Sequence, residues 1–251
     1  MLKVEGLGVA FGAHTVFDDL SFEIGSGVTA LIGPNGAGKS TVVNAVTGLL
    51  VPQRGSAWWQ GRPILGRGID EMARMGVVRT FQAARLFPSL TAAENVMVGA
   101  HRHGRAGLLA AALSLPASRR TSALLRERSR EALGAVGCEG LADVPAAVLT
   151  AGQQRLVSVA RAIAGGPELL VLDEPAAGLN DDETATLATD LRQLAAGGVA
   201  ILVIEHHMEF VMSLASHVVV LADGQIIADG TPEDVQTDDA VIRAYLGTAD
   251  A

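Results

Sequence analysis

Apolar and polar positions follow two periods along this chain, and their order predicts an α/β protein. Residues 2–24 read as two strands, Lys3–Phe11 and Thr15–Ile24, joined at Gly12-Ala13, with Val16, Leu20, Phe22 and Ile24 spaced among polar neighbours. Val28–Ile32 is a continuous apolar run and predicts a buried strand; Lys39–Thr47 predicts a helix ended by Gly48, with Pro52 confirming the break. A short strand over Gly55–Gln60 stops at the turn signal Gly61-Arg62-Pro63, followed by a helical turn over 69–75 and a strand over 76–81. From Thr91 to Gly137 the period is helical, with Leu124, Leu125, Leu133 and Val136 set among Arg126, Glu127, Arg128, Arg130 and Glu131. The α/β pattern returns near Pro167. Glu168–Leu172 and Val199–Ile204 read as buried strands, Asp182–Ala196 as a helix with Leu187, Leu191 and Leu194 on one face, His217–Leu221 and Gln225–Ala228 as a hairpin around Asp223-Gly224, and Ala240–Leu246 as a last helix. The expected organisation is an α/β core over 1–90 and 165–251, with an antiparallel β-subdomain at its N-terminal side and a helical subdomain, 91–164, inserted into it. Residues 102–120, with Gly104, Gly107, Pro116 and several arginines, read as a mobile connection.

Between the Val28–Ile32 strand and the following helix lies Gly33-Pro34-Asn35-Gly36-Ala37-Gly38-Lys39-Ser40-Thr41, which fits the phosphate-loop pattern G-x-x-x-x-G-K-[ST]. In that context, backbone N–H groups and a helix N-terminus converge on one point and favour a polyphosphate. Lys39 is expected to reach the β- and γ-phosphates and the Ser40 hydroxyl to ligate Mg²⁺. Further on, Leu169-Leu170-Val171-Leu172-Asp173-Glu174-Pro175 is an apolar strand ending in two carboxylates. Asp173 is expected to hold Mg²⁺ through water, and Glu174 to polarise an attacking water as general base. The plain alternative is that Asp173 and Glu174 merely end the strand before Pro175. Thr150 opens the helical stretch Leu156–Ala164 and, taken alone, reads as its cap.

Composition narrows the function. At 251 residues and 49% apolar, the chain has material for one large domain or a domain with a subdomain. A net charge of −8 argues against a nucleic-acid binder and against docking on anionic lipid. Lys3 and Lys39 are the only lysines, so no neighbouring lysine can replace Lys39. Cys138 is the only cysteine, which excludes an internal disulfide and fits a cytosolic setting; it reads as a packing residue. Lys3 and Glu5 interrupt the first strand, so no secretory leader is expected, and the stretch Gly107–Leu115 is far shorter than the ~18–20 apolar residues that cross a bilayer. No direct membrane insertion is expected.

The order of these segments is itself informative. A phosphate loop, Gln82 after a short strand, Leu149-Thr150-Ala151-Gly152-Gln153-Gln154-Arg155, Leu-Asp-Glu-Pro and then Glu205-His206 resembles the ATP-binding-cassette ATPases almost end to end. Thr80-Phe81-Gln82, Leu86-Phe87, Leu90-Thr91, Glu94-Asn95-Val96, Ala176-Ala177-Gly178-Leu179-Asn180, Met208 after the histidines, and the ending Val241-Ile242-Arg243-Ala244-Tyr245-Leu246-Gly247 resemble the branched-chain amino-acid importer ATPases. The leucine- and arginine-rich stretch 101–130 is similar to that branch's inserted helices.

The resemblance implies the cassette-ATPase fold, a phosphate-loop NTPase core with a RecA-like mixed sheet. It also implies roles for single residues. Phe11 stacks on adenine; Gln82, a surface residue by default, touches Mg²⁺ or water and senses the transporter; His206 hydrogen-bonds the γ-phosphate. Thr150, Ala151, Gly152 and Gln153 bind ATP held by the opposite subunit, and Gly178, Leu179 and Asn180 cross the dimer interface. Three positions depart from the common pattern. Ala151 stands for a glycine, Asn180 for an aspartate (though this branch commonly has Asn), and His207 follows His206 where the branch has Asp. The implied protein hydrolyses ATP with Mg²⁺ and powers an importer for branched-chain or related amino acids or amides. Its partners would be a second nucleotide-binding subunit, identical or related, two permease subunits and, indirectly, a solute-binding protein. It would sit in the cytoplasm, peripheral at the inner face of the cell membrane. An exporter or lipid-extracting ATPase shares every core motif. A soluble cassette ATPase of DNA repair or translation would carry a coiled coil or second cassette, which this chain lacks. A non-hydrolysing regulatory module, suggested only by Ala151, is opposed by Lys39, Asp173, Glu174 and His206.

Overall fold

A computed structural model describes residues 1–80, 85–100 and 116–246, with side chains over 1–80, 85–100 and 123–245. Contacts divide these residues into two units. One holds Met1–Arg79, Glu168–Glu174 and the chain from Leu191 on; the other holds the described parts of Thr80–Pro167 together with Pro175–Asp190.

The first unit contains two sheets. Strands β1 (Leu2–Phe11), β2 (His14–Ile24), β4 (Arg54–Trp59) and β5 (Arg62–Pro63) form an antiparallel sheet in the order β2-β1-β4-β5. The second sheet runs β10-β9-β3-β8-β7-β6. Its strands β6 (Val77–Arg79), β7 (Leu169–Asp173), β8 (Ala200–Ile204), β3 (Val28–Ile32) and β9 (His217–Ala222) are parallel, and β10 (Gln225–Gly230) adds an antiparallel edge. Every residue of β3, β7 and β8 is buried, as strands covered on both faces must be. Successive side chains leave on opposite faces. Leu31, Val171, Leu202, Ile204, Val219 and Leu221 share one core with Val42, Val43 and Val46 of helix α1 (Lys39–Val46) and with the antiparallel sheet. Ala30, Ile32, Val218 and Val220 belong to a second core with Val211, Val235 and Val241. Both segments expected to meet a polyphosphate, the ends of β3 and β7, are thus carried on buried strands.

The mixed sheet with a separate antiparallel sheet is the architecture expected from the sequence. Helices over Met208–Leu214 and Pro232–Thr237 had no counterpart in the apolar pattern.

In the second unit, helices over Ala92–Ala100, Pro116–Gly134 and Ala151–Ala164 pack together, burying Val96, Leu133, Val136, Val157 and Val159. The connection expected over 102–120 lies outside the described residues as far as 115; from Pro116 the backbone is already helical, so the last five residues of that expectation are corrected. The helix Asp181–Ala196 buries Leu187 and Leu191, whereas Leu194 is partly exposed near its end. Among the described residues no helix is long and apolar enough to cross a membrane.

Candidate functional site

The phosphate-loop segment leaves the buried end of β3 at Ile32 and returns as the first turn of α1. Gly33 has φ 147°, and a Cβ there would lie 1.9 Å from the Leu221 carbonyl oxygen of β9. The loop can start at this point only without a side chain. Gly38 precedes α1 with no side-chain cap, and the first turn carries no acidic residue, so the helix presents uncompensated N–H groups to the loop. The Lys39 ammonium donates to the carbonyls of Gly33 (2.6 Å) and Pro34 (2.8 Å), lying across its own loop. Burial pushes the Lys39 pKa down, and the Glu174 carboxylate partly opposes that shift. Ser40 is exposed on the first turn, and Phe11 is 54% exposed at the β1–β2 turn.

At the tip of β7, Asp173 stays in register with Ile204 of β8 and is largely buried. Its Oδ2 accepts from Arg79 Nη2 at 2.8 Å. Glu174 departs from the strand with φ 49°, while its N–H still donates to the Ile204 carbonyl at 2.9 Å. That left-handed residue swings the carboxylate toward the segment after β8, where His206 Nδ1 lies 3.7 Å from Glu174 Oε1 and 3.8 Å from Glu205 Oε2. Glu205, 2% exposed, accepts the backbone N–H groups of His206 (3.0 Å) and His207 (3.3 Å). His207 is the N-cap residue of the helix Met208–Leu214 and lends it no side-chain bond. Phosphate loop, Asp173, Glu174 and His206 therefore belong to one unit, and Gln82 lies outside the described residues.

Among the described residues no group of three or more His, Cys, Asp or Glu is arranged to hold a metal. A divalent cation here needs ligand oxygens from a bound polyphosphate beside Ser40 and Asp173. The donor set is all oxygen, which suits Mg²⁺ with retained water.

The remaining predicted residues sit together in the second unit. Thr150 caps the helix Ala151–Ala164: its Oγ1 accepts the Gln153 N–H (3.2 Å), and Gln153 Oε1 accepts the Thr150 N–H (3.0 Å). Gly152 is pressed against the loop after Pro175, where an added Cβ would lie 2.8 Å from the Gly178 carbonyl and 3.0 Å from Leu179 Cδ2. Asn180 and Glu183 exchange the same reciprocal bonds, at 3.0 and 2.9 Å, before the helix Asp181–Ala196. Thr150–Gln153 and Gly178–Asn180 thus form one surface with two capped helix starts.

Sequence reasoning assigned no role to Arg79 or Asn44, and named Glu205 and Asn95 only as parts of matched segments. Asn95 is fully buried and bonds the Phe87 N–H and the carbonyls of Phe87, Leu90 and Thr91, fixing that loop. Its signal was present: a lone amide on the buried face of an apolar helix needs several backbone partners.

A family model described as "ABC transporter" matches residues 17–177, and one described as "Branched-chain amino acid ATP-binding cassette transporter" matches residues 225–251. The chain is 41% identical over 251 residues to the high-affinity branched-chain amino acid transport ATP-binding protein BraF of Pseudomonas aeruginosa, covering 99% of this chain and 98% of that protein. It is 39% identical, with the same coverage, to LivG of Escherichia coli, which carries the same description. Its backbone is similar to that of a nucleotide-free ATP-binding cassette from an ABC transporter, with TM-score 0.84, 30% identity and 98% of each chain covered. An ADP-bound cassette of an ABC transporter gives TM-score 0.83 at 29% identity, again over 98% of each chain.

Proposed function

Because the chain belongs to the ABC transporter ATP-binding proteins, in their branched-chain amino-acid group, we propose that it is the ATP-hydrolysing subunit of an importer for branched-chain or related amino acids and amides. One observation in the site carries the hydrolytic part. Glu174 is turned out of β7 in a left-handed conformation and lies 3.7 Å from His206, and its charge reaches Lys39.

The residues then divide the work. Lys39 exchanges the Gly33 and Pro34 carbonyls for the β- and γ-phosphate oxygens of ATP, and backbone N–H groups between Asn35 and Thr41 receive the remaining charge. Phe11 offers an exposed ring for adenine. Glu174 takes a proton from a water as its oxygen bonds to the γ-phosphorus; the bond from that phosphorus to the bridging oxygen breaks, and ADP leaves with the electron pair. His206, 3.7 Å from Glu174, is the group that would hydrogen-bond and orient the γ-phosphate. Ser40, Asp173 and Gln82 would hold Mg²⁺, which when bound supplies charge neutralisation at the phosphates.

The surface of Thr150, Ala151, Gly152 and Gln153 completes the site of a second nucleotide-binding subunit. Since the Thr150 oxygen accepts within the capping box, its own proton remains to donate to a phosphate oxygen. Gly178, Leu179 and Asn180 lie against that surface and cross to the partner. ATP closes the pair and hydrolysis releases it, a population shift that two permease subunits convert into transport. Solute reaches them from a binding protein, and the chain itself is peripheral at the cytoplasmic face.

The test is Glu174→Gln, assembled with its transport partners. Phosphate release should fall by about 10²-fold or more while an ATP-bound pair accumulates. Unchanged phosphate release would remove Glu174 as the base. Cells lacking the chain should lose uptake of labelled leucine, isoleucine and valine; normal uptake of all three would refute the assigned solute.

A further inference from the structure

Arg79 ends β6, the edge strand beside β7, and its side chain is only 9% exposed. A buried guanidinium is stable only where carboxylates or carbonyl-type oxygens meet its fork. Here Nη2 donates to Asp173 Oδ2 at 2.8 Å and Nη1 donates to Asn44 Oδ1 at 2.6 Å, with Thr47 Oγ1 at the 3.5 Å limit. Asn44 and Thr47 lie one turn apart at the end of the helix that begins with Lys39 and Ser40. One planar cation therefore ties the Asp173 carboxylate to the helix that carries the Lys39 and Ser40 groups. The charges around the tip also count. Asp173, Glu174 and Glu205 bring three carboxylates to the ends of β7 and β8, and Arg79 and Lys39 answer with two cations.

We propose that Arg79 is a positioning residue that orients Asp173 and cancels most of its charge, so that the site takes a divalent cation only together with a nucleotide polyphosphate. The proposal rests on reading Asp173 as the carboxylate on the cation's side of the nucleotide site. Its logic is electrostatic. A carboxylate already paired at 2.8 Å in a water-poor setting attracts a second cation weakly, until phosphate oxygens supply new negative charge. The fork geometry adds a second consequence: lysine preserves the charge but cannot serve Asn44 and Asp173 at once.

The experiment is titration of Mn²⁺ followed by electron paramagnetic resonance, on the full chain without nucleotide and then with ATP. The wild type should bind Mn²⁺ without nucleotide only in the range of about a millimolar or weaker, and far more tightly with ATP. Arg79→Gln should strengthen nucleotide-free Mn²⁺ binding about fivefold or more, since one charge next to the carboxylate is gone. Arg79→Lys should stay within about twofold of wild type in that measurement. Adding Asp173→Asn to Arg79→Gln should cancel the gain. Tight Mn²⁺ binding by the nucleotide-free wild type overturns the proposal without any variant, so a misfolded Arg79→Gln does not protect it. An unchanged Mn²⁺ affinity in a folded Arg79→Gln also overturns it. If the wild type takes up no Mn²⁺ even with ATP, the nucleotide-site reading itself fails, a different outcome from either of these.

Discussion

Replacing Gly33 by alanine isolates what the start of the phosphate loop requires. The new Cβ would sit 1.9 Å from the Leu221 carbonyl oxygen and 2.9 Å from its carbon, both backbone atoms of a buried central strand. No rotamer can relieve that contact; β9 and the loop must part by more than an ångström. Overpacking of this kind costs about 1–3 kcal/mol. The backbone at φ 147° adds about 1–3 kcal/mol for a residue with a side chain. Together they come to about 2–6 kcal/mol against a total stability of about 5–15. Gly36→Ala is the control. Its φ is 82°, but nothing lies within 4 Å of the added carbon, so only a left-handed backbone term of about 1–2 kcal/mol applies. With about 2–4 °C of melting temperature per kcal/mol at this size, Gly33→Ala should melt about 5–20 °C below wild type, and well below Gly36→Ala. A fluorescent ATP analogue should bind the Gly33 variant at least about tenfold more weakly, because the loop N–H groups that would receive the phosphates move with residue 33. Thermal melts without nucleotide and one binding titration suffice. A Gly33→Ala protein that melts within about 2 °C of wild type would refute the steric argument.

Gly152→Ala should leave ATP binding intact but displace the Gly178-Leu179 loop, which it would meet at 2.8 Å; light scattering should then find no ATP-dependent pairing. Phe11→Ala should leave the melting temperature unchanged, since the ring is 54% exposed, and weaken ATP binding about tenfold, with Phe11→Trp restoring it. Cys138 should resist alkylation in the native state, because burial pushes its thiol up to about 11. At about pH 8 only about one thiol in a thousand is then ionised. The folded value lies above the ordinary thiol value of 9.0, so the thiol's contribution to stability is complete below about pH 9 and is lost as the pH rises toward about 11. Iodoacetamide labelling at the denatured rate without denaturant would contradict this.

The phosphate loop and the buried strands were legible because short-range rules encode them. Glycine spacing, an apolar run and a following helical period are all read within about ten residues. Thr150 was legible as a cap for the same reason. Two short helices were not. Met208–Leu214 spans seven residues, too few for a period to stand out, and it starts at His207 without a side-chain cap. Pro232–Thr237 is shorter still, and its only local signal is the Thr231 and Asp234 capping box with proline at the first helical position, which shows no period. Arg79 could not be assigned from the sequence, because its partners Asn44 and Asp173 are 35 and 94 residues away. What the sequence does hold is an arginine in the apolar run Gly76-Val77-Val78, a buried cation that must find a carboxylate somewhere.

The adjacent pair Asp173-Glu174 shows why motif order names a site without describing it. In a regular strand the two carboxylates would leave on opposite faces, and one alone could meet the phosphate-loop side. The chain breaks that alternation at a single residue. Asp173 keeps strand geometry and is held by Arg79, while Glu174 takes φ 49° with its N–H still tied to Ile204. A left-handed glutamate costs about 1–3 kcal/mol and persists only where its surroundings over-determine it. Here the register of β7 on β8 fixes the residue before it. Pro175, the residue after it, disfavours the ordinary helical conformation at Glu174. The strain therefore has a structural consequence that no regular strand provides: one carboxylate stays buried against a cation, and its neighbour is turned toward His206.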